Sequence, residues 1–410
     1  MNPRQRKRPL RLGALLLAGS LALVGFAGCG IRAQELTRQI QPQAVERAAI
    51  RDGFREGAMK LALAQLRAAE AENGSAVVSP ASLLSVLAMA QAGAEGETRA
   101  EMEAALGLST EALLESLAAY ASAFPEREDV AVHAANSLWL APNLSVEEAF
   151  LQTMADYFDA QVFCTDLTAA STVRDANRWV EEHTRGKIDR MLDEPLPEDA
   201  RMLLLGALSF DAEWQTPFSQ GSVVPGTFHG TAGDQEAEFL LSQEEYFANE
   251  RVSGFRKYYA GGDYSFVAFL PAEGLDVTQL LSTLTAEEYF SLLEQDSGRS
   301  ADIALPKWEA QTQMDCGALL QSMGVQRAFT TLAQFGGMSP EPLYIGKIVQ
   351  KATLTVDERG TSAGAATEIE MRDGAAFTER PEVRLDRPFV YAVVDNATQL
   401  PLFFGVAHGV

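Results

Sequence analysis

The 410-residue sequence predicts an α+β domain in which helices and sheets mix irregularly along one chain. Three observations lead there. Residues 202–210, Met-Leu-Leu-Leu-Gly-Ala-Leu-Ser-Phe, form a continuous apolar run between Pro197 and Trp214, the pattern of a central strand covered on both faces. Phe54, Ala58, Leu61 and Ala62 recur at helical spacing, so the same chain also builds amphipathic helices. No low-complexity linker, internal repeat or break in composition interrupts residues 51–410, which therefore form one domain large enough to bury a substantial core.

The chain starts with a segment that is not part of that domain. Residues 1–28 carry a basic head (Arg4, Arg6, Lys7, Arg8, Arg11), an apolar run over 12–26, and Ala27-Gly28 immediately before Cys29. This is the pattern of an export signal. A cysteine directly after small residues resembles the bacterial lipobox, in which that cysteine is acylated and becomes the new N-terminus; Phe26 departs from the aliphatic residue the motif prefers. The other readings are cleavage at a nearby small residue, or an uncleaved anchor. The protein is accordingly expected to be exported, as a cell-envelope lipoprotein or an extracellular protein. Residues 29–50 mix charge, glutamine and proline, and read as a tether.

Formal net charge is −23, and loss of the signal with its five cations leaves −28. That acidity argues against a nucleic-acid partner and offers no basic patch to heparin-like polymers or anionic lipid, so membrane contact is expected only through the lipid anchor. With Cys29 assigned to lipidation, Cys164 and Cys316 allow one disulfide, but their apolar surroundings favour two buried free thiols. The four histidines, His133, His183, His229 and His408, form no ligand-spaced cluster with cysteine, so no metal and no cofactor are expected.

Within the domain, Asn73-Gly74 closes the first helix and residues 76–78 read as a strand. Ser79 caps the next helix with Pro80 in its first turn, and Leu83, Leu84, Leu87 and Gln91 give it a mostly apolar stripe. Residues 136–140 are extended, and Phe150, Met154, Tyr157 and Phe158 lie on the helix that follows. A further helix containing Trp179 ends near Gly186, which supplies its cap. After the central strand, residues 265–271 and 301–308 read as strands, interrupted by Pro271 and Pro306.

Residues 356–377 have a double character. Leu354 and Val356 continue a strand, while Gly360 and the small residues Ala363, Gly364, Ala365 and Ala366 let the chain leave it as a loop. At period two, Thr361, Ala363, Ala365, Thr367, Ile369 and Met371 share one face that suits burial, and Ser362, Gly364, Ala366, Glu368, Glu370 and Arg372 share one that suits solvent. No proline interrupts 361–372, so every residue there retains the backbone donor that a sheet ladder requires.

Asp357-Glu358-Arg359-Gly360-Thr361-Ser362-Ala363-Gly364-Ala365-Ala366-Thr367 resembles the hinge of the reactive-centre loop of the serpin family. Other stretches resemble the same family in unbroken order from about Arg51 to the C-terminus: Val78-Ser79-Pro80-Ala81-Ser82-Leu83, Thr184-Arg185-Gly186-Lys187-Ile188, Trp214 with Pro217-Phe218, Leu343-Tyr344-Ile345-Gly346-Lys347, and Arg387-Pro388-Phe389. The resemblance implies the serpin fold, with mixed helices around three β-sheets and a mobile reactive-centre loop at about 358–380. It implies a monomeric serine protease inhibitor, not an enzyme, that acts as a suicide substrate: the cleaved loop inserts into the central sheet and traps the acylated protease. The implied hinge residues are Glu358, Gly360, Thr361, Ala363, Ala365, Ala366 and Thr367. Family members usually carry Asn where Gly206 stands and His where Gln350 stands, both in a polar cluster with Ser79 and Ser82 that helps keep the sheet closed.

The family count of seventeen positions starting at Glu358 ends at Gly374, giving Gly374-Ala375 as the target bond. Counting back from Arg387-Pro388-Phe389 lands near Phe377, and Arg372 and Ala375 are further candidates. Small residues there suit elastase-like or subtilisin-like proteases with shallow pockets, and Arg372 suits trypsin-like ones; the first class is favoured. Two rival readings are a serine hydrolase, for which histidines are few, and a noninhibitory serpin-fold surface binding protein.

Overall fold

The apolar run at 202–210 sits in the middle of a 12-residue strand, Met202–Glu213, and the architecture is most simply described around it. The computed structural model describes residues 31–43, 45, 49–125, 127–295, 297–361 and 380–410, all within one unit, Ile31–Val410. In chain order its elements are β1 (Gln34–Glu35), α1 (Phe54–Asn73), β2 (Ala76–Val78), α2 (Pro80–Gly93), α3 (Gly96–Leu106), α4 (Thr110–Ala121), β3 (Val130–Leu140), α5 (Glu148–Phe158), β4 (Gln161–Cys164) and α6 (Ala170–His183). Then come β5 (Met202–Glu213), β6 (Val223–Gly230), β7 (Gly233–Ala248), β8 (Val252–Tyr258), β9 (Tyr264–Pro271), α7 (Val277–Thr283), α8 (Ala286–Leu293), β10 (Ser300–Pro306), β11 (Trp308–Asp315) and α9 (Gly317–Ser322). The chain closes with β12 (Ile345–Val356), β13 (Gly360–Thr361), β14 (Glu382–Arg384), β15 (Phe389–Asp395) and β16 (Pro401–Ala407).

The first sheet has seven strands in the order β1-β4-β3-β5-β12-β11, with β13 added on β5. Its centre is the antiparallel pair β3 and β5, in register from Val130 opposite Ala212 to Leu140 opposite Met202. One face of β5, carrying Leu204, Leu208, Phe210 and Ala212, joins the main core. The other, carrying Leu203, Leu205 and Ala207, packs with Trp139, Phe163 and Trp179 beneath α6 in a second core. This double coverage is why the sequence there is apolar without alternation.

The second sheet has nine strands, β14-β10-β7-β8-β9-β15-β16-β2, with β6 on β7. Of the three sheets implied by the family resemblance, hydrogen bonding joins two. The 16-residue strand β7 pairs with β6 over its first half and with β10 and β8 further along, so one strand belongs to both. Helix α2 packs against β3 and β5 on one side and β16 on the other. Leu83, Leu84 and Leu87 are almost fully buried there, each contributing about 1.5–3 kcal/mol. Its start follows the sequence reading: Ser79 accepts a hydrogen bond from the Ser82 amide, with Pro80 in the first turn. At the end of α6, Gly186 adopts the left-handed conformation (φ 78°) and its amide closes on Glu181 O.

The expected tether at 29–50 requires a correction. Residues 31–43 are docked on the domain. Gln34 and Glu35 pair with Cys164 and Phe163 as an edge strand, Leu36 donates to Val162 O (2.7 Å), and Thr37 Oγ1 accepts from the Val162 amide (3.1 Å). Arg32 and Ala33 amides donate to Asp175 Oδ2 at 2.9 and 3.0 Å. The backbone finds ladder and carboxylate partners that composition alone does not reveal. The sequence-predicted signal, residues 1–28, and Cys29 lie outside the described residues.

Candidate functional site: the hinge and the gap in the first sheet

Strands β5 and β12 run parallel and are paired from Met202 opposite Ile345 to Ala207 opposite Lys351. Beyond Ala207 they part. The chain leaves β12, turns, and comes back on β5 as β13, antiparallel, with Gly360 opposite Glu213 and Thr361 opposite Ala212. Between these two pairings Leu208, Ser209, Phe210 and Asp211 have β3 on one side and no strand on the other among the described residues. A cavity of about 30 Å³ opens at that place, lined by Leu208, Ser209, Phe210, Thr353, Thr355 and Thr361 and roofed by Lys187 and Ile188. The buried Ser209 hydroxyl has no hydrogen-bond partner among the described residues. The pairing of β5 and β12 is therefore open beside these four residues, with the hinge at the mouth of the gap.

The turn that brings the hinge there is fixed by its own residues. Asp357 Oδ1 accepts from the amides of Arg359 (2.8 Å) and Gly360 (3.2 Å), an Asx-type turn. Trp214 donates from its amide to Arg359 O (2.6 Å) and from Nε1 to Asp357 O (2.9 Å), and the Phe218 amide donates to Glu358 O (2.8 Å). Only glycine fits at 360: a Cβ would lie 1.9 Å from Ala212 O. Thr361 is buried, and its Oγ1 lies 2.6 Å from the Tyr259 hydroxyl, whose ring stacks on Trp214 at 4.4 Å. Lys257, almost fully buried, donates to Glu244 (2.7 Å) and Thr216 O (3.1 Å) with its ammonium 4.3 Å from the Phe218 ring centre. Burial pulls its pKa down, and the Glu244 carboxylate opposes that shift.

Glu358 is held from outside. Lys307 Nζ sits 2.9 Å from Glu358 Oε1 and 3.0 Å from Glu238 Oε2. Burial pushes the Glu358 carboxyl up, but the Lys307 hydrogen bond and charge, with Arg359, outweigh it and leave the pKa below the usual glutamate value. The Lys307 ammonium is correspondingly raised, chiefly by the hydrogen bond to Glu358.

Deeper in the sheet, the cluster expected from Ser79, Ser82, Gly206 and Gln350 is rebuilt. Gln350 on β12 accepts at Oε1 from the Ser79 amide (3.2 Å) and from Gln65 Nε2 (2.6 Å), and donates from Nε2 to Ser79 O. The three side-chain and backbone groups join β12 to the start of α2 and to α1. A side chain at 206 is excluded by α2, since a Cβ would meet Val86 Cγ2 at 2.5 Å and Ser82 Oγ at 2.6 Å. Ser82 Oγ has no partner in the cluster or elsewhere among the described residues. Gln65 is the functional residue that sequence reasoning missed. Its signal was a glutamine on the buried face of α1, among Leu61, Ala62, Leu66 and Ala69. Lys351 adds a second tie, donating to Arg190 O at 2.9 Å and so joining β12 to the segment that roofs the gap.

Of the implied hinge, Glu358, Gly360 and Thr361 are brought together at the gap. Ala363, Ala365, Ala366, Thr367 and the target-bond candidates Arg372, Gly374, Ala375 and Phe377 lie outside the described residues. Cys164 and Cys316 are both free; Cys316 is buried, which pushes its thiol pKa up, and Cys164 is only half-buried, more exposed than its apolar neighbours suggested. Among the described residues no group of three His, Cys, Asp or Glu side chains is placed to hold a metal ion. Residues 360–364 spell Gly-x-Ser-x-Gly, the motif of a hydrolase nucleophile turn. Gly360 and Thr361 form a strand laid on β5, and Ser362, Ala363 and Gly364 lie outside the described residues.

Comparison with known proteins agrees with this geometry. The family model described as Serpin (serine protease inhibitor) matches residues 56–408. Iripin-3 of Ixodes ricinus is 30% identical over 80% of this chain and 87% of its own, and alpha-1-antiproteinase of Rattus norvegicus is 27% identical over 80% and 81%. Among solved structures, the thermophilic serpin tengpin in its native state is 33% identical with a TM-score of 0.87, covering 92% of this chain and all of tengpin. Tengpin in its latent state gives 0.76 at the same identity, covering 90% and 99%. Thyroxine-binding globulin, at 22% identity over 87% and 98% and a TM-score of 0.78, shares the fold. The chain belongs to the serpin family of serine protease inhibitors.

Proposed function

We propose that this protein inhibits serine proteases as a single-use substrate, by inserting its cleaved loop into the gap between β5 and β12. The observation that carries this reading is the two-residue pairing of Gly360 and Thr361 on β5, directly above four residues that have β3 on one side and no strand on the other among the described residues. Extending the same antiparallel register would set residue 362 opposite Asp211 and residue 365 opposite Leu208. Residue 366 would then meet Ala207, which is already paired with Lys351. Insertion past 365 therefore requires β12 to separate from β5, and the Gln350 and Lys351 ties resist that separation. Each new ladder bond contributes about 0.5–1.5 kcal/mol net, so a dozen of them favour the inserted state strongly once the barrier is passed. The greater likeness to tengpin in its native than its latent state supports a chain described before insertion.

In the reaction, the protease serine attacks the Gly374 carbonyl, the Ala375 amine departs, and the ester to Gly374 travels with the inserting loop. Elastase-like or subtilisin-like proteases suit the small residues at this bond. Incubation with a panel of serine proteases, followed by denaturing electrophoresis, tests the reading. A denaturant-resistant complex with at least one protease, and a rise in thermal stability on loop cleavage, are expected. Cleavage in the loop by each protease with neither outcome would instead support a noninhibitory binding protein, the reading favoured by the altered positions Gly206 and Gln350. Export, and anchorage through acylated Cys29, complete the proposal; Cys29→Ala is expected to move the protein out of the membrane fraction.

A further inference from the structure

Ile31 packs on the second core, and the Arg32 and Ala33 amides that follow are held by Asp175. Only Gly30 separates this docked segment from Cys29. Two Cα–Cα steps reach at most about 8 Å, so the docked segment leaves no tether of useful length.

Strand registers give the height of this entry point on the domain. Gln34 lies opposite Cys164, Cys164 opposite Leu140, and Leu140 opposite Met202, the first residue of β5. The hinge residue Thr361 lies opposite Ala212, ten residues further along the same strand, about 33 Å away at the usual rise. Because β1 is antiparallel to β4, Ile31 precedes Gln34 on the side away from the hinge. The chain thus enters the domain at the pole opposite the gap.

We propose that in the anchored protein this pole faces the membrane and the reactive loop is held outward, away from the lipid surface. The inference rests on acylation at Cys29. A free tether over residues 30–50 would let the domain turn its loop in any direction, including toward the bilayer. A docked segment fixes one pole near the anchor. The same pole carries Asp166, Glu198 and Glu341 around a depression that also holds Arg201, an acidic lining that does not attract anionic lipid and leaves the attachment to the acyl chains. The proteases such an orientation serves are those arriving from outside the envelope, not ones embedded in it.

The test uses full-length acylated protein in vesicles, carrying Cys164→Ser and one dye-labelled cysteine, either Glu198→Cys at the proposed membrane pole or Glu128→Cys near the hinge end. Energy transfer to an acceptor on lipid headgroups is read. Several-fold stronger transfer from position 198 than from 128 is expected, and a 12-residue Gly-Ser insertion between Gly30 and Ile31 should erase the difference. Equal transfer without the insertion, or stronger transfer from 128, overturns the orientation. A chain starting with six histidines directly before Gly30, bound to nickel-chelating lipid, repeats the measurement without acylation, and the same gradient is expected. If that gradient is present but mass spectrometry of the native N-terminal peptide shows no acyl groups, the anchor reading fails and the proposal falls with it.

Discussion

The hydroxyl of Thr361 meets the hydroxyl of Tyr259 at 2.6 Å inside the core, and this contact sets which face of the following chain looks inward. Side chains alternate along a strand, so residues sharing the parity of 361 turn toward the core as the loop enters the gap.

Parity makes the first prediction. Ala365→Arg would bring a charge toward the core with no partner, at a cost of several kcal/mol, and should slow insertion until the protease completes hydrolysis. Ser362→Arg, set by the same register opposite the half-exposed Asp211, keeps its guanidinium at the solvent edge. The first variant should be cleaved at the same bond yet form little covalent complex, and the second should retain much of its inhibition. Equal complex formation by the two, with one protease, would refute insertion in this register.

The second prediction concerns pH. Glu358 has a depressed pKa, so its tie to Lys307 contributes stability that is fully present above the ordinary glutamate value and is lost as pH falls through the lower, folded one. Below about pH 4 the hinge should therefore loosen, seen as faster amide exchange at Arg359 to Thr361. Glu358→Gln should show the faster exchange already at neutral pH and a flatter profile. An unchanged acid response in that variant would assign the effect elsewhere.

Gln350 gives the third. Gln350→Ala leaves the Gln65 side-chain amide and the Ser79 backbone amide without these partners in the core, at about 1–3 kcal/mol for each buried group, while the Ser79 carbonyl keeps its bond from the Leu83 amide. Removing a tie between β12 and α2 should lower the denaturation midpoint and speed conversion of the uncleaved protein to an inserted form. Gln65→Leu should do the same more weakly, because Gln350 keeps its bonds to Ser79. A variant that loses stability with no change in conversion rate would separate the cluster from sheet opening.

The docked segment gives the fourth. Deleting residues 31–43 strips Asp175 of two amide donors, uncovers the part of the second core packed against Ile31 and Ala33, and leaves β4 as the sheet edge. The truncated protein should melt lower and associate more readily, by calorimetry and light scattering. Identical melting would mean that docking contributes nothing to the fold.

Helices α1, α2, α5 and α6 and strands β2, β3, β5, β9 and β10 were legible because long periodic segments and fully buried strands write themselves into hydrophobic pattern. Strand β1 was not, because Gln34 and Glu35 are polar, the strand is two residues long, and its partners lie beyond residue 160. The hinge was readable from Gly360 and its small neighbours, but the depth of the gap was not. That depth depends on where the β5–β12 register stops, a relationship between distant backbone segments that leaves no mark in either sequence. Gln65 was missed although it is a polar residue on an apolar helix face, because its partner lies 285 positions away.

Strand β2, completed within the first eighty residues, has its sheet partners at Phe404, Gly405 and Val406, almost the last residues of the chain. A ribosome releases the N-terminal part long before those partners exist, so α1 and α2 must wait beside an unfinished sheet. The order of synthesis thus keeps the final closure for the end, and a chain cut short by even ten residues has no finished second sheet.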